Sequence, residues 1–190
     1  IAFGGDMIEG LFNFATQAFE IDATLFEQYV NVSRLIVDVV RHALANYETV
    51  TVVPEWGNHG RIGSKRDAVP KNDNVDRMCY ELARQLLADE KRLTWQDCPE
   101  DIQRIEMGNY RALLMHGDEV GRSGFASPQA CNAQEPLADG LGAIYWTGST
   151  ESDNRYARDS LAASGVPSQR LHFIDTEAGR VTAAYQVWLD

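Results

Sequence analysis

Apolar residues along the chain alternate between helical and strand-like patterns, which predicts an α/β or α+β protein. Residues 21–46 and about 72–89 repeat apolar positions at spacings of three and four, as helices with one buried face do. Short β-branched or alternating runs predict strands at residues 1–5, 49–53, 92–95, 102–107, 110–115, 143–147, 168–175 and 180–188. A further helix is predicted at about 154–163, whereas residues 121–142 show no period and are predicted as a long loop.

The same patterns predict which helix faces are buried. In the first helix the predicted buried residues are Leu25, Tyr29, Val32, Ile36, Val39 and Ala43. In the second they are Val75, Met78, Cys79, Leu82, Leu86 and Leu87. Asn72 or Asp73 is predicted to cap the second helix, and Pro54 to close the strand at residues 49–53.

Three polar motifs stand where apolar runs break. They are Gly4-Gly-Asp-Met-Ile-Glu-Gly10, Pro54-Glu-Trp-Gly-Asn-His-Gly-Arg61 and Leu113-Leu-Met-His-Gly-Asp118. Glycines beside the polar residues let the backbone turn sharply and approach a ligand. Because α/β proteins bind ligands at strand ends, these motifs predict a site there.

The polar residues of these motifs are metal-ligand types. Asp6, Asn58, His59 and His116 offer carboxylate, amide and imidazole donors, which suit Mn, Fe, Zn or Mg. Taken singly, Asp6 could be a turn residue and His116 a packed one. Together they predict a hydrolytic metal site, in which a metal-bound histidine needs a partner. The candidate partners are Asp118, Glu119 and Glu55.

A basic cluster follows the second motif in an otherwise acidic chain. Arg61 is the residue predicted to bind phosphate, because it adjoins Gly-Asn-His-Gly. For the other three cations, phosphate binding and simple exposure to solvent in a loop are equally good explanations. These three are Lys65, Arg66 and Lys71. His42 and His172 fit a helix face and a sheet, and we assign them no role.

Composition indicates one ordinary globular domain. The chain has 190 residues, of which 44% are hydrophobic and 24% charged, and no apolar run is long enough to cross a membrane. Its three cysteines form no CxxC pair, which favours a reducing, cytoplasmic environment. The net charge of −11 disfavours broad electrostatic binding of nucleic acid. Bound divalent metals would nevertheless add positive charge locally.

In this order, the three motifs resemble those of the calcineurin-like metallophosphoesterases. Phage-encoded members described as DNA-repair exonucleases are particularly similar, also in the segments that begin at Trp146 and Pro167. The resemblance covers most of the chain. It implies a metallophosphoesterase-type β-sandwich flanked by helices, with the site at the strand ends. It also implies a hydrolase with two divalent metal ions. Mn²⁺ is the preferred candidate, and Mg²⁺, Zn²⁺ or Fe are alternatives.

The same resemblance implies a role for each motif residue. Asp6 would bridge the two metals, and Asn58 and His116 would bind the second metal. His59 would act near the leaving group, as a general acid or as a transition-state stabiliser. The implied reaction is hydrolysis of phosphodiester bonds, in nucleic acid, by metal-activated water. Exonuclease-like and endonuclease-like cleavage both stay open.

Two motifs of the family are missing from the chain. The family's opening Asp-x-His motif is not among residues 1–190, which start after its expected place, and no Gly-His-x-His lies between His116 and Trp146. We therefore expect a single domain over residues 1–190 that lacks an N-terminal strand and an internal segment near 125–140.

Other functions stay open beside the phosphodiesterase. One is a degenerate, non-catalytic binding module of the same fold, and another is a phosphatase acting on small or protein phosphoesters. We expect no membrane partner, and a homodimer formed through exposed strand edges is an open alternative. A phage-encoded chain would act in the cytoplasm of its host.

Overall fold

A computed structural model describes residues 1–13, 17–63, 70–118, 134–136, 143–145, 147 and 166–189. The helices of these residues are α1 (Leu25–Asn46), α2 (Val75–Leu86) and a 3-10 helix (Gln17–Phe19). The strands are β1 (Ala2–Gly4), β2 (Val50–Glu55), β3 (Leu93–Trp95), β4 (Ile102–Met107), β5 (Tyr110–Met115), β6 (Gln134–Pro136), β7 (Ala143–Tyr145), β8 (Ser168–Asp175) and β9 (Arg180–Trp188). This mixture confirms the α+β class.

The chain divides into two compact units. The first comprises Ile1–Ile105 and Ala112–Asp118, and the second Glu106–Arg111 and Glu119–Asp190. All the predicted site residues belong to the first unit. A single domain over residues 1–190 stays a prediction, and most of the segment near 125–140 lies outside the described residues.

A three-stranded parallel sheet organises the first unit. Its strand order is β1-β2-β3, with Gly4 opposite Glu55 and Val52 opposite Trp95. β2 lies in the centre and is buried at every position except Thr51. Because β1 and β2 are parallel, their carboxyl ends meet at one edge, and the first two motifs follow directly from there.

Pro54 lies inside β2 and does not close it, so this part of the prediction is wrong. Val53 N donates to Ile1 O at 2.8 Å, so the amide of the next residue, Pro54, faces the opposite side of the strand. On that side β3 ends opposite Val52. The missing N–H of proline therefore removes no ladder hydrogen bond.

Helix α1 starts later than its apolar pattern predicts. Thr24 caps it, and the Glu27 N–H donates to Thr24 Oγ1 while Glu27 Oε2 accepts from the Thr24 N–H. The buried face is also rotated from the predicted one, because Val40 is fully buried and Val39 is 40% exposed. Adjacent helix positions differ by about 100°, so the centre of the buried face lies nearer Val40 than Val39, although Ile36 is buried as predicted.

Helix α2 begins at a different cap and buries only part of the predicted face, namely Val75, Cys79 and Leu87. Asn74 is the cap, rather than Asn72 or Asp73. Cys79 is buried as predicted, but Met78 is 44% exposed. The polar Asp76 is fully buried instead, because its carboxylate bonds to the loops that follow β1 and β2.

The remaining strands form two-stranded sheets. β4 pairs with β5 through the predicted Gly108-Asn109 turn, where Gly108 has φ 58°. β8 and β9 pair antiparallel, as predicted, with one register shift after Phe173. β6 and β7 also pair antiparallel, so a strand lies inside the segment predicted as a loop. The helix predicted at 154–163 lies outside the described residues.

No helix in the described ranges is both long and apolar enough to cross a membrane.

Candidate functional site

The loop after β1 holds Asp6 in a conformation that few residues adopt. Its φ is 50°, and that of the preceding Gly5 is 86°. The loop after β2 passes so close that a Cβ atom at Gly57 would lie 2.0 Å from Asp6 Oδ1 and 2.3 Å from Asp6 N. Glycine at position 57 therefore permits the approach of the Asp6 carboxylate to the β2 loop.

The loop after β2 brings Asn58 and His59 to the same place. The His59 N–H donates to Asp6 Oδ1 at 2.9 Å, which joins the two loops directly. Oδ2 of Asp6 is then the carboxylate oxygen that faces the imidazoles, at 3.8 Å from His59 Nε2 and 3.1 Å from His116 Nε2. The first two motifs thus meet as the parallel strand order requires.

His116 follows β5 and completes the group. Its Nδ1 lies 2.8 Å from Gly4 O. A carbonyl oxygen only accepts, so Nδ1 carries a proton and Nε2 faces the other residues. Nε2 lies 3.1 Å from Asp6 Oδ2 and 3.2 Å from Asn58 Oδ1. An imidazole nitrogen facing two acceptors needs a positive charge there, either a proton or a cation.

Electrostatics of the pair without a metal favour the proton. Burial alone would lower the pKa of His116, but the hydrogen bond and the charge of Asp6 outweigh it and raise that pKa to about 9. Burial would raise the pKa of Asp6, but His116 and His59 together hold it below its ordinary value. The cluster therefore stabilises positive charge beside the Asp6 carboxylate.

The three donor atoms have the chemistry of a metal site, and the two distances from His116 Nε2 are compatible with one. In an octahedral site with bonds of about 2.1 Å, neighbouring donors are about 3.0 Å apart. The two distances from His116 Nε2, 3.1 and 3.2 Å, are close to that value. In the described ranges no three His, Cys, Asp or Glu side chains are grouped to hold a metal. The set therefore depends on the amide oxygen of Asn58.

His59 lies at the edge of this group and is held from its other side by Glu9. His59 Nδ1 is 3.0 Å from Glu9 O and 3.5 Å from Glu9 Oε2. Gln17, which is fully buried, donates to Glu9 O at 2.7 Å and to Glu9 Oε1 at 3.1 Å. Burial lowers the pKa of His59, but Glu9 and Asp6 outweigh burial and raise it. His59 is therefore placed to carry a proton.

Glu9 was not among the carboxylates predicted as histidine partners. Of those, Asp118 pairs with Arg61, and Glu119 lies outside the described residues. Glu55 accepts hydrogen bonds from residues other than the histidines. The signal available in the sequence was the position of Glu9 three residues after Asp6 in the same Gly-bounded motif.

Glu55 ends β2 as a buried acid. The Trp56 N–H donates to its Oε1 at 2.9 Å, and Gln103 Nε2 donates to its Oε2 at 3.2 Å. Its exposed fraction is 0%, and burial raises its pKa to about 7. Glu55 is therefore largely protonated below neutral pH.

Arg61, the predicted phosphate ligand, is fixed by an acidic partner. Arg61 Nη2 donates to Asp118 Oδ2 at 2.7 Å. Its buried Nε has no hydrogen-bond partner in the described part of the chain. Of the other predicted cations, Lys71 forms a separate ion pair, and Lys65 and Arg66 lie outside the described residues. Of this cluster, the described residues therefore show one guanidinium, that of Arg61, oriented by an acidic partner.

A cavity of about 610 Å³ lies beside α2 and residues 95–99. Its lining includes Trp95 and Cys98 but none of the four predicted ligand or acid residues. The candidate chemistry therefore lies at the strand ends and not in this cavity.

Comparisons with protein-family models, with curated proteins and with solved structures found no match.

Proposed function

We propose that the chain is a metal-dependent phosphoesterase whose site lies after β1, β2 and β5. One observation carries this proposal: three metal-ligand atoms from separate motifs converge, with His116 Nε2 at 3.1 Å from Asp6 Oδ2 and 3.2 Å from Asn58 Oδ1. Ordinary packing does not require a carboxylate, an amide oxygen and an imidazole nitrogen to meet in this way. The metallophosphoesterase-type β-sandwich is part of the same proposal.

Asp6, Asn58 and His116 would hold a divalent ion, for which Mn²⁺ is the preferred candidate. When bound, divalent ions activate water and neutralise phosphate charge. The fixed Nδ1–H contact of His116 with Gly4 O leaves its Nε2 free to bind, as metal-bound histidines require. A two-metal site, with Asp6 as the bridge, needs ligands beyond these three.

His59 would donate a proton to the leaving oxygen or stabilise charge on it. Glu9 orients the imidazole through Nδ1 and favours its charged form, while Nε2 remains on the side of Asp6. A positioned acid of this kind contributes about 10²–10⁴-fold to a rate.

Arg61 would contact a phosphate oxygen of the substrate. Asp118 accepts from Nη2, one terminal nitrogen of Arg61, and so fixes the guanidinium plane and orients this side chain for an anion. We propose a phosphodiester in nucleic acid as the substrate, cleaved in the manner of a nuclease. The net charge of −11 argues for local recognition of one phosphate rather than a long basic track.

The second candidate is a non-catalytic module that binds one metal ion. The specific observation in its favour is that the described residues provide three donors at a single point and no grouped set of three His, Cys, Asp or Glu. Such a module would bind Mn²⁺ and phosphoesters without turnover.

Hydrolysis assays separate the two candidates. Bis-para-nitrophenyl phosphate and end-labelled single-stranded DNA are incubated with the protein and Mn²⁺, or with EDTA. We expect Mn²⁺-dependent hydrolysis that EDTA abolishes. Loss of an outer partner of a metal ligand costs about 10–100-fold, so Asn58→Ala, which removes a ligand, should cost about 100-fold or more.

His42→Ala is the matched control, since His42 is an exposed histidine of α1, and it should hydrolyse both substrates at the wild-type rate. Preferential cleavage of DNA over the small ester would support the nuclease assignment. Folded wild-type protein that binds Mn²⁺ and hydrolyses neither substrate would leave the binding module as the function.

A further inference from the structure

The N-terminal turn of α2 holds both loops of the candidate site. Asp76 Oδ1 accepts from Met7 N at 3.2 Å, and Asp76 Oδ2 accepts from Gly57 N at 2.9 Å. Asn74 Nδ2 donates to Gly57 O at 2.9 Å. We call the two side chains, Asn74 and Asp76, the α2 clasp.

The clasp is buried and its members support each other. Asp76 is 0% and Asn74 1% exposed. Asn74 Oδ1 accepts from Asp76 N at 2.8 Å, which caps the helix and fixes the carboxylate-bearing residue. Burial raises the pKa of Asp76, while the two accepted N–H groups and the helix dipole favour its charged form. Both of its oxygens are committed to backbone N–H groups of the loops.

The two N–H groups belong to residues adjacent to proposed metal ligands. Met7 follows Asp6, and Gly57 precedes Asn58. A single carboxylate therefore spans the two loops and sets the spacing between the Asp6 and Asn58 side chains. Site geometry of this kind must hold to about 0.5 Å, and Asp76 adds a buried partner shared by both loops to the direct hydrogen bond from His59 N–H to Asp6.

We propose that Asp76, assisted by Asn74, is a positioning residue that holds the β1 and β2 loops at the spacing required for metal binding. This inference rests on the proposed function, because it concerns the metal site formed by Asp6, Asn58 and His116. Asp76 does not itself contact the site atoms in the structure. It acts through the backbone of Met7 and Gly57.

Asp76→Asn tests the proposal with the full chain and MnCl₂ alone as the probe. The amide keeps the shape of the carboxylate, but its NH₂ group would face one backbone N–H, so one loop loses its acceptor. We expect the Mn²⁺ dissociation constant, measured by isothermal titration calorimetry, to rise about 10–100-fold. The hydrolysis rate at saturating Mn²⁺ should return to within a few-fold of wild type.

Tyr80→Phe is the matched control for a purely structural loss. Tyr80 lies on α2, is 4% exposed, and donates to Glu55 O at 2.7 Å, so its variant loses one buried hydrogen bond to β2 but none to the loops. We expect a lower melting temperature and an unchanged Mn²⁺ dissociation constant. Asn74→Ser is a milder second variant, because serine still caps the helix but no longer donates to Gly57 O.

The outcomes separate this inference from the proposed function. Weaker Mn²⁺ binding in Asp76→Asn and Asn74→Ser, but not in Tyr80→Phe, supports the clasp; if Asp76→Asn does not fold, Asn74→Ser decides. If the Mn²⁺ dissociation constants of both clasp variants stay within two-fold of the wild-type value, the positioning role of the clasp is overturned, while the proposed metal site stands. No Mn²⁺ binding by folded wild-type protein overturns the proposed function and, with it, the inference.

Discussion

Gly57 lies at a point where the two site loops approach each other closely. A Cβ atom there would lie 2.0 Å from Asp6 Oδ1 and 2.3 Å from Asp6 N, so it would clash with both atoms. Asp6 is held by the His59 N–H and by its own φ of 50°, so it has little room to move. The close approach of the two loops therefore requires that position 57 has no side chain.

Gly57→Ala should lower the free energy of unfolding by about 1–3 kcal/mol, the usual cost of overpacking a tight site. It should also weaken Mn²⁺ binding, because the clash pushes Asp6 away from Asn58. Chemical denaturation and calorimetry measure the two effects.

Gly4→Ala is the control from the neighbouring strand. A Cβ atom at Gly4 meets nothing within 4 Å, so this variant should unfold within about 0.5 kcal/mol of wild type. Equal stability of Gly57→Ala and Gly4→Ala would contradict the close approach of the loops.

Single residues of the site were predictable where they stand in glycine-bounded motifs. Asp6, Asn58 and His116 were predicted to belong to one site. The structure brings Asp6 Oδ2 and Asn58 Oδ1 to within hydrogen-bonding distance of His116 Nε2. Glu9 and Asp76 were missed. Their partners, His59 and the backbone of Met7 and Gly57, are remote in the chain, so no local pattern reveals them.

At the scale of elements, β2 is a central strand that carries a carboxylic acid into the interior. Its burial raises the pKa of Glu55 from 4.5 to about 7. An acid whose pKa is raised in the folded state binds more protons when folded, so the free energy of unfolding falls as pH rises. The fall due to Glu55 lies between pH 4.5 and about 7.

Glu55→Gln should remove this pH dependence. Without metal, the wild type should lose on the order of 3 kcal/mol across that interval through Glu55, as 1.36 kcal/mol per pKa unit implies. Urea denaturation at several pH values measures the slope. Burial also raises the pKa of Asp76, to about 6, so the variant keeps part of the fall, and the difference between the two proteins isolates Glu55. Identical slopes would show that Glu55 titrates as an exposed acid does.

Elements were predicted best where the pattern is long and the ends carry their own signals. β4, β5, β8 and β9 lie where alternation and turn residues placed them, with the turns at Gly108-Asn109 and residues 176–179. Helix faces were less predictable. In α1 the predicted Ile36 is buried, but packing against β2 and α2 also buries Val37, Val40 and Leu44, a row beside the one that the spacing favoured.

For the protein as a whole, the net charge of −11 is compatible with the binding of a cation at the proposed site. A ligand that binds only the folded protein stabilises it by an amount set by its concentration relative to the dissociation constant. The carboxylate of Asp6, which otherwise pairs with His116, would gain a divalent partner.

Adding Mn²⁺ at about 100 times its dissociation constant should raise the free energy of unfolding by about 2.7 kcal/mol, and EDTA should reverse the gain. Urea denaturation with Mn²⁺ and with EDTA measures the difference. Asn58→Ala should show a much smaller gain at the same Mn²⁺ concentration. A gain of equal size in this variant would place the ion elsewhere on the protein.

Local sequence patterns were sufficient to predict the α+β class, most strands of the described ranges, and the polar residues that follow them. These follow from local causes, namely hydrophobic period, turn chemistry and the break of an apolar run at glycine. The packing of the folded chain determines which motif residues meet and which helix faces are buried. It also determines that Asn74 and Asp76 form hydrogen bonds to the two site loops. Such contacts join positions such as Met7 and Asp76 that are far apart in the chain, and only the packed sheet and helices bring them together.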